Sequence, residues 1–211
     1  MKIAIVGANG RLGSIVSKLA IERGLAVKGF IRSEKAIVPK LETVRKSLFD
    51  MRKEDIADCS VMISAYGSGF YSDPILNLQA FQKYIELNEG TERHLIAIAG
   101  AGSLFTDETH TKYCYQTDDY PDFLRDISLN IKLGIDELKK TTNLNWTAVC
   151  PSSVFDPDGD YTGKYIIGAD EHLLVSKDGM SRVTYYDLAD AMLKIALENT
   201  YQQQQITVLT I

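Results

Sequence analysis

"VGANGRLGS", residues 6–14, places glycines at positions 7, 10 and 13, at the end of the apolar run "KIAIV" (2–6) and before a stretch of helical periodicity. When a strand turns sharply into a helix, the first glycine permits the turn and the second lets a ligand phosphate touch main chain. The third allows the helix to pack closely on the strand. Gly7, Gly10 and Gly13 take these roles in order, with Asn9, Arg11 and Leu12 completing the loop. The amides that open the helix, together with its dipole, favour the negative charge of a pyrophosphate. A dinucleotide is therefore the expected guest. The spacing is GxxGxxG rather than the tighter GxGxxG, and a bare tight turn is the competing explanation. Placement at the first strand–helix junction favours nucleotide binding.

Outward from this loop, strand-like and helix-like segments alternate, the pattern that builds a parallel sheet covered on both faces. "SIVSKLAIERG" puts Ile15, Val16, Leu19 and Ala20 on one helical face and ends at Gly24. "LAVKGFI" (25–31) reads as the second strand, residues 43–48 as a weaker third, 52–57 as a short helix and "SVMISAY" (60–66) as the fourth strand. Asp73 caps and Pro74 opens a helix that runs to Gly90. "HLIAIAG" (94–100) is strand five, 121–141 a long helix and "NWTAVC" (145–150) strand six. In the tail, "KYIIG" and "HLLVS" resemble a small hairpin, 183–199 a final helix and "ITVLT" a last strand, with "QQQQ" (202–205) as a surface turn. The 211 residues are expected to form one α/β domain.

The end of strand two bears on the choice of dinucleotide, because an NAD-preferring site usually offers a carboxylate to the ribose 2′-hydroxyl there. This chain offers Arg32 and Ser33. A guanidinium at that point, helped by Arg11, pairs with a 2′-phosphate, so NADP(H) is expected over NAD(H). The alternative is a merely solvated Arg32 with Glu34 turned inward.

Composition excludes several other classes. The net charge is −5 and no long basic run is present, which argues against a nucleic-acid partner or an anionic leaflet. The first strand starts at Lys2 and no apolar run approaches the roughly 18 residues a membrane span needs, so a cytoplasmic location is expected. Cys59, Cys114 and Cys150 are scattered and lack CxxC pairing, which suggests reduced thiols. His94, His110 and His172 show no ligand spacing, so no metal site is expected.

Taken together, "KIAIVGANGRLGSIVSKLAIERG", "VMISAYG", "HLIAIAGAGSL", "NWTAVCPSSVFDP", "YTGKY" and "SRVTYYDLADAML" resemble the atypical short-chain dehydrogenase/reductases over essentially the whole chain. The likeness is strongest to small bacterial NAD(P)H-binding proteins that carry the provisional name NADH-flavin reductase. Biliverdin-IXβ/flavin reductase is a more distant likeness. The resemblance implies a Rossmann-like doubly wound parallel sheet of order 3-2-1-4-5-6-7 with a small C-terminal substrate region. It implies that Ala65, Tyr66 and Gly67 flank the adenosine and ribose, that Leu48 sits beside the adenine, and that Pro151, Ser152 and Ser153 border the nicotinamide. Ser47 stands where relatives often carry an aspartate, and Ser153 where flavin-reducing relatives can carry a histidine.

The ordinary short-chain dehydrogenase acid, a tyrosine followed by lysine four residues on, does not occur; "YTGK" (161–164) has the wrong spacing and place. Gly100 replaces a hydroxyl at the end of strand five, leaving Ser103 as the nearest catalytic candidate. Hydride transfer to a flavin or quinone, bound as a substrate, fits this set better than alcohol–ketone chemistry, because orientation does most of the work. Ser103, Leu104, Phe155, Lys164, Tyr165 and Arg182 are the candidates for contact with this small-molecule acceptor. Three of them have a structural alternative: Phe155 and Tyr165 as core aromatics, and Arg182 as a tie across the turn before the last helix. The tyrosine-rich segment 105–123 reads as a lid or as an irregular surface loop. Two other functions stay open, an NADP(H) sensor without turnover and a reductase, epimerase or dehydratase of a small carbonyl compound.

Overall fold

The computed structural model describes all residues from Met1 to Ile211. The chain order is β1 (Lys2–Val6), α1 (Arg11–Glu22), β2 (Ala26–Ile31), β3 (Glu42–Arg45), β4 (Val61–Ser64), α2 (Ile75–Asn88), β5 (His94–Ile98), α3 (Asp122–Lys139), β6 (Asn145–Pro151), β7 (Val154–Asp156), β8 (Tyr165–Gly168), β9 (Arg182–Thr184), α4 (Tyr185–Glu198) and β10 (Gln204–Thr210). One eight-stranded sheet has the order β3-β2-β1-β4-β5-β6-β10-β8. Its first seven strands reproduce the expected order, with β10 in the seventh place.

Alternation along the strands sends successive side chains to opposite faces. Ile3 and Ile5 join the core shared with α1 and α4, while Ala4 and Val6 join the core under α2 and α3. The helices pack in these same pairs, α1 on α4 and α2 on α3. Because β1 runs to β2 on one side and β4 leads to β5 on the other, the sheet order reverses between β1 and β4. Ligands of open α/β sheets bind beyond the carboxyl ends of the strands at such a reversal.

Local signals explain the element ends. Gly24 at φ +74° donates its amide to the Ile21 carbonyl and stops α1. Asp73 accepts from the Ile75 amide at 3.1 Å, the capping expected of it. In α4, Thr184 accepts from the Asp187 amide.

The tail departs from the sequence reading. "KYIIG" is a strand, but it pairs antiparallel with β10 and not with "HLLVS". An apolar segment thereby covers the edge that β10 leaves open. "HLLVS" forms no strand: His172 bridges to Phe105, and Leu173 packs against the Leu104, Cys114 and Cys150 cluster. Half of "QQQQ" is also not a turn, since Gln204 and Gln205 begin β10 beside β6. Gln205 is buried because its amide finds the Ser103 carbonyl at 3.1 Å. A short parallel ladder of β7 with β9, which the sequence reading lacked, holds the segment after β6.

Candidate functional site

The loop after β1 has the geometry a diphosphate requires. Gly7 adopts φ +76°, and a Cβ there would lie 3.2 Å from the Ala65 carbonyl oxygen. A Cβ on Gly13 would lie 2.1 Å from the Gly7 oxygen, so this glycine is what lets α1 approach β1. The amides of Arg11, Leu12 and Gly13 have no hydrogen-bond partner. They stand free at the start of the helix, where an anion is favoured.

Arg11 and Leu12 line a cleft of about 590 Å³, within the range of small-molecule sites. Gly10 from the same loop and Ala65, Tyr66 and Gly67 from the end of β4 line it too. Phe81, Ile98, Ile127 and Ile131 supply an apolar wall, and Phe155 and Tyr185 a flat aromatic one. The two rings stack at 3.8 Å with planes 22° apart. Burial raises the phenol pKa of Tyr185 and of Tyr66, against the pull of Arg11 on the first and Arg32 on the second. Both phenols are therefore neutral donors at neutral pH.

Arg32 and Arg11 are exposed, and neither makes an ion pair or a side-chain hydrogen bond. Glu34 does not turn inward; it is exposed and lies 3.8 Å from Arg45. Asn9 and Ser33 act together. The Asn9 amide donates to the Ser33 hydroxyl and to the Lys35 carbonyl, and its oxygen accepts from the Ile37 amide at 2.9 Å. They shape the rim that presents Arg32.

Other expected contacts are relocated. Leu48 is buried in the core under α2, and its neighbour Phe49 is the exposed group, edge-on to Tyr66 at 5.7 Å. Ser47 donates to Asp50 at 2.6 Å, so a carboxylate does stand at this corner. Ser152 is buried and donates to the Val208 carbonyl, and the Ser153 hydroxyl donates to the Ser181 carbonyl. Neither they nor Pro151 line the cleft.

Most of the acceptor-side candidates lie outside this cleft or are engaged with other parts of the fold. Ser103 is 1 % exposed and donates to the Gly100 carbonyl at 2.8 Å, with Gln205 and Cys150 around it. It cannot reach a ligand in the cleft as a proton donor. Leu104 is fully buried in its own small cluster. Tyr165 donates to Asp190 at 2.7 Å, and Arg182 is tied to Asp156. Lys164 sits beside β8 and does not line the cleft. "YTGK" has a different purpose: the Thr162 and Gly163 amides and the Thr162 hydroxyl all donate to buried Asp187. Phe155 alone of the six lines the cleft. Sequence reasoning missed its partner Tyr185 and missed Phe70, in the glycine-containing loop after β4. The run "AYGSGFY" was the available signal for Phe70, being flexible and aromatic at the carboxyl end of a strand.

A parallel sheet that reverses order at a glycine-lined turn, with free helix amides over an apolar cleft, defines a dinucleotide-binding protein of the Rossmann-like class. The chain belongs to the NAD(P)H-binding family, which matches residues 7–199. A Streptococcus pneumoniae protein with the provisional name NADH-flavin reductase has the same structure, with a TM-score of 0.93 and 31% identity over all of both chains. The Bacillus subtilis protein YwnB is 29% identical across all of this chain and 99% of its own. The Escherichia coli anaerobilin reductase ChuY shares the fold, with a TM-score of 0.74 at 16% identity over all of this chain and 97% of its own. The resemblance to atypical short-chain dehydrogenase/reductases is thereby borne out. No helix is long and apolar enough to cross a membrane.

Proposed function

We propose that the protein is an NADPH-dependent reductase of a planar conjugated acceptor, of the flavin or quinone class, bound as a substrate. The observation that carries this reading is a single cleft in which the unpartnered α1 amides and the stacked Phe155–Tyr185 wall share one space. The free amides of Arg11, Leu12 and Gly13 fit a diphosphate, and the unpaired guanidiniums of Arg32 and Arg11 fit a 2′-phosphate. When bound, the dihydronicotinamide supplies a hydride.

The chain's own residues hold and orient. Phe155 and Tyr185 offer a flat surface on which an aromatic ring stacks. Phe81, Ile127 and Ile131 give the same cleft an apolar lining. The Tyr185 phenol, whose pKa burial raises further, lines the cleft and can donate a hydrogen bond to a ring heteroatom. With Ser103 buried away from the cleft, reduction of a carbonyl through that hydroxyl loses its acid.

Calorimetric titration with NADPH and NADH, followed by steady-state NADPH oxidation with FMN, riboflavin or menadione, tests the proposal. The expected result is tighter NADPH binding, by about tenfold for one charge-assisted phosphate contact, and turnover with at least one ring acceptor. Binding without turnover on any of them would make the protein an NADP(H) sensor. Absence of binding would overturn both.

A further inference from the structure

His110 and His172 are 62 residues apart in sequence, yet both rings turn toward Asp170. His110 Nε2 lies 3.6 Å from Asp170 Oδ2, and His172 Nδ1 lies 3.4 Å from the same oxygen. One nitrogen of each ring and a carboxylate oxygen fall within 4.8 Å of one another. Ligands around a tetrahedral zinc-sized ion, at about 2.0–2.2 Å each, are separated from one another by about 3.4 Å. Two edges of that ligand triangle are therefore already close to the required length, and the third is no longer than 4.8 Å.

Ring and main-chain contacts hold this arrangement together: His110 Nε2 bonds to the Asp170 carbonyl at 2.8 Å and His172 Nδ1 lies 3.4 Å from it, contacts that an entering ion would replace. The Phe105 amide donates to the Glu171 carbonyl and the Leu173 amide donates to the Phe105 carbonyl, both at 2.9 Å. The two segments that carry the histidines are thus fixed in register. Phe105 also stacks on the His110 ring at 4.7 Å with planes 16° apart, which sets the direction of its nitrogens. His110 and Glu171, with φ of 53° and 56°, hold the left-handed turns that bring the ring and Asp170 together. All three ligand-bearing side chains retain access to solvent, which leaves a path for an ion and room for water.

We propose that His110, Asp170 and His172 bind one divalent transition-metal ion of the zinc class, with water completing the coordination. Two imidazoles and one carboxylate suit zinc, cobalt or nickel; magnesium and calcium favour all-oxygen sets. The ion would tie the tyrosine-rich 105–123 segment to residues 170–172. The site shares no residue with the dinucleotide cleft.

The test is calorimetry on the full chain, free of any affinity tag and stripped with chelator, titrated with zinc chloride at neutral pH. One equivalent is expected. Cobalt in place of zinc should give a visible d–d band, and zinc should raise the melting temperature. His110→Gln and His172→Asn should each weaken zinc binding by at least about tenfold, and Asp170→Asn should lower it as well. Circular dichroism of each variant confirms the fold. No saturable binding would overturn the proposal, leaving two histidines hydrogen-bonded to Asp170. So would binding that survives the double histidine variant, which would place the ion elsewhere.

Discussion

Single side chains decide whether the cleft can work. Gly13 is the sharpest case, because the 2.1 Å approach of an added Cβ to the Gly7 oxygen cannot be relieved by a rotamer change. Gly13→Ala must push α1 off β1 and misplace the free amides. The expected cost is about 3 kcal/mol of stability, read by urea unfolding, with loss of NADPH binding by calorimetry. Arg32 gives a contrasting case, since it is exposed and unpaired and its removal disturbs no packing. Arg32→Ala should leave the unfolding midpoint unchanged and weaken NADPH by about tenfold while barely affecting NADH. Equal weakening of both cofactors would show that Arg32 does not face the 2′-phosphate. Tyr185→Phe isolates the phenol from the ring. Stacking with Phe155 survives, so cofactor binding should hold, while turnover with a ring acceptor should fall several-fold if the hydroxyl donates to it.

Among the elements, α4 shows how a motif that looks catalytic can be an anchor. Asp187, in its first turn, is fully buried and accepts from the Thr162 amide and hydroxyl, the Gly163 amide and the Thr210 hydroxyl. This one carboxylate joins the helix to the end of β10 and to the loop before β8. Asp187→Ala leaves those donors without a partner, and should destabilise the protein by about 3 kcal/mol in urea unfolding while circular dichroism retains the Rossmann-like content. The example also marks the limit of what the sequence discloses. The glycine loop, the Asp73 cap and the Gly24 stop were legible because each follows from local chemistry, and the strand order because the family resemblance implies it. The partners of Tyr165, Arg182 and Ser103 were not. Asp190, Asp156 and Gln205 lie from 25 to 102 residues away and meet them only when the sheet closes. The "KYIIG" strand was recognised but misassigned for the same reason. Periodicity identifies a strand and says nothing about which edge receives it. Phe155 was legible as an aromatic, whereas Tyr185 was absorbed into a helix pattern that gave no hint of the ring it stacks on.

The whole molecule divides into two cores joined through one sheet, and the middle of that sheet carries a histidine that links its stability to pH. His94 opens β5, is 2 % exposed, and its ring bonds to the Thr147 hydroxyl on the neighbouring β6 at 2.8 Å. Burial pushes its pKa down to about 4, against a smaller opposing pull from Asn199, so the ring is neutral in the native state. In the unfolded chain the same imidazole titrates near ~6.5. Between these values the unfolded chain binds the proton and the native protein does not. The native state is therefore favoured fully above the unfolded value and loses that advantage as pH falls toward 4. The difference amounts to about 3 kcal/mol across the window, a sizeable share of a domain's net stability. Unfolding free energies measured by urea across this acid range should show the slope, and His94→Asn, which keeps a polar group beside Thr147, should flatten it while leaving the neutral-pH fold intact. A slope unchanged in the variant would overturn the assignment to His94, because the carboxylates held below their usual range by cations, Asp55 beside Lys46 and Asp156 beside Arg182, lose their stabilisation mainly at still lower pH, below the unfolded carboxylate value.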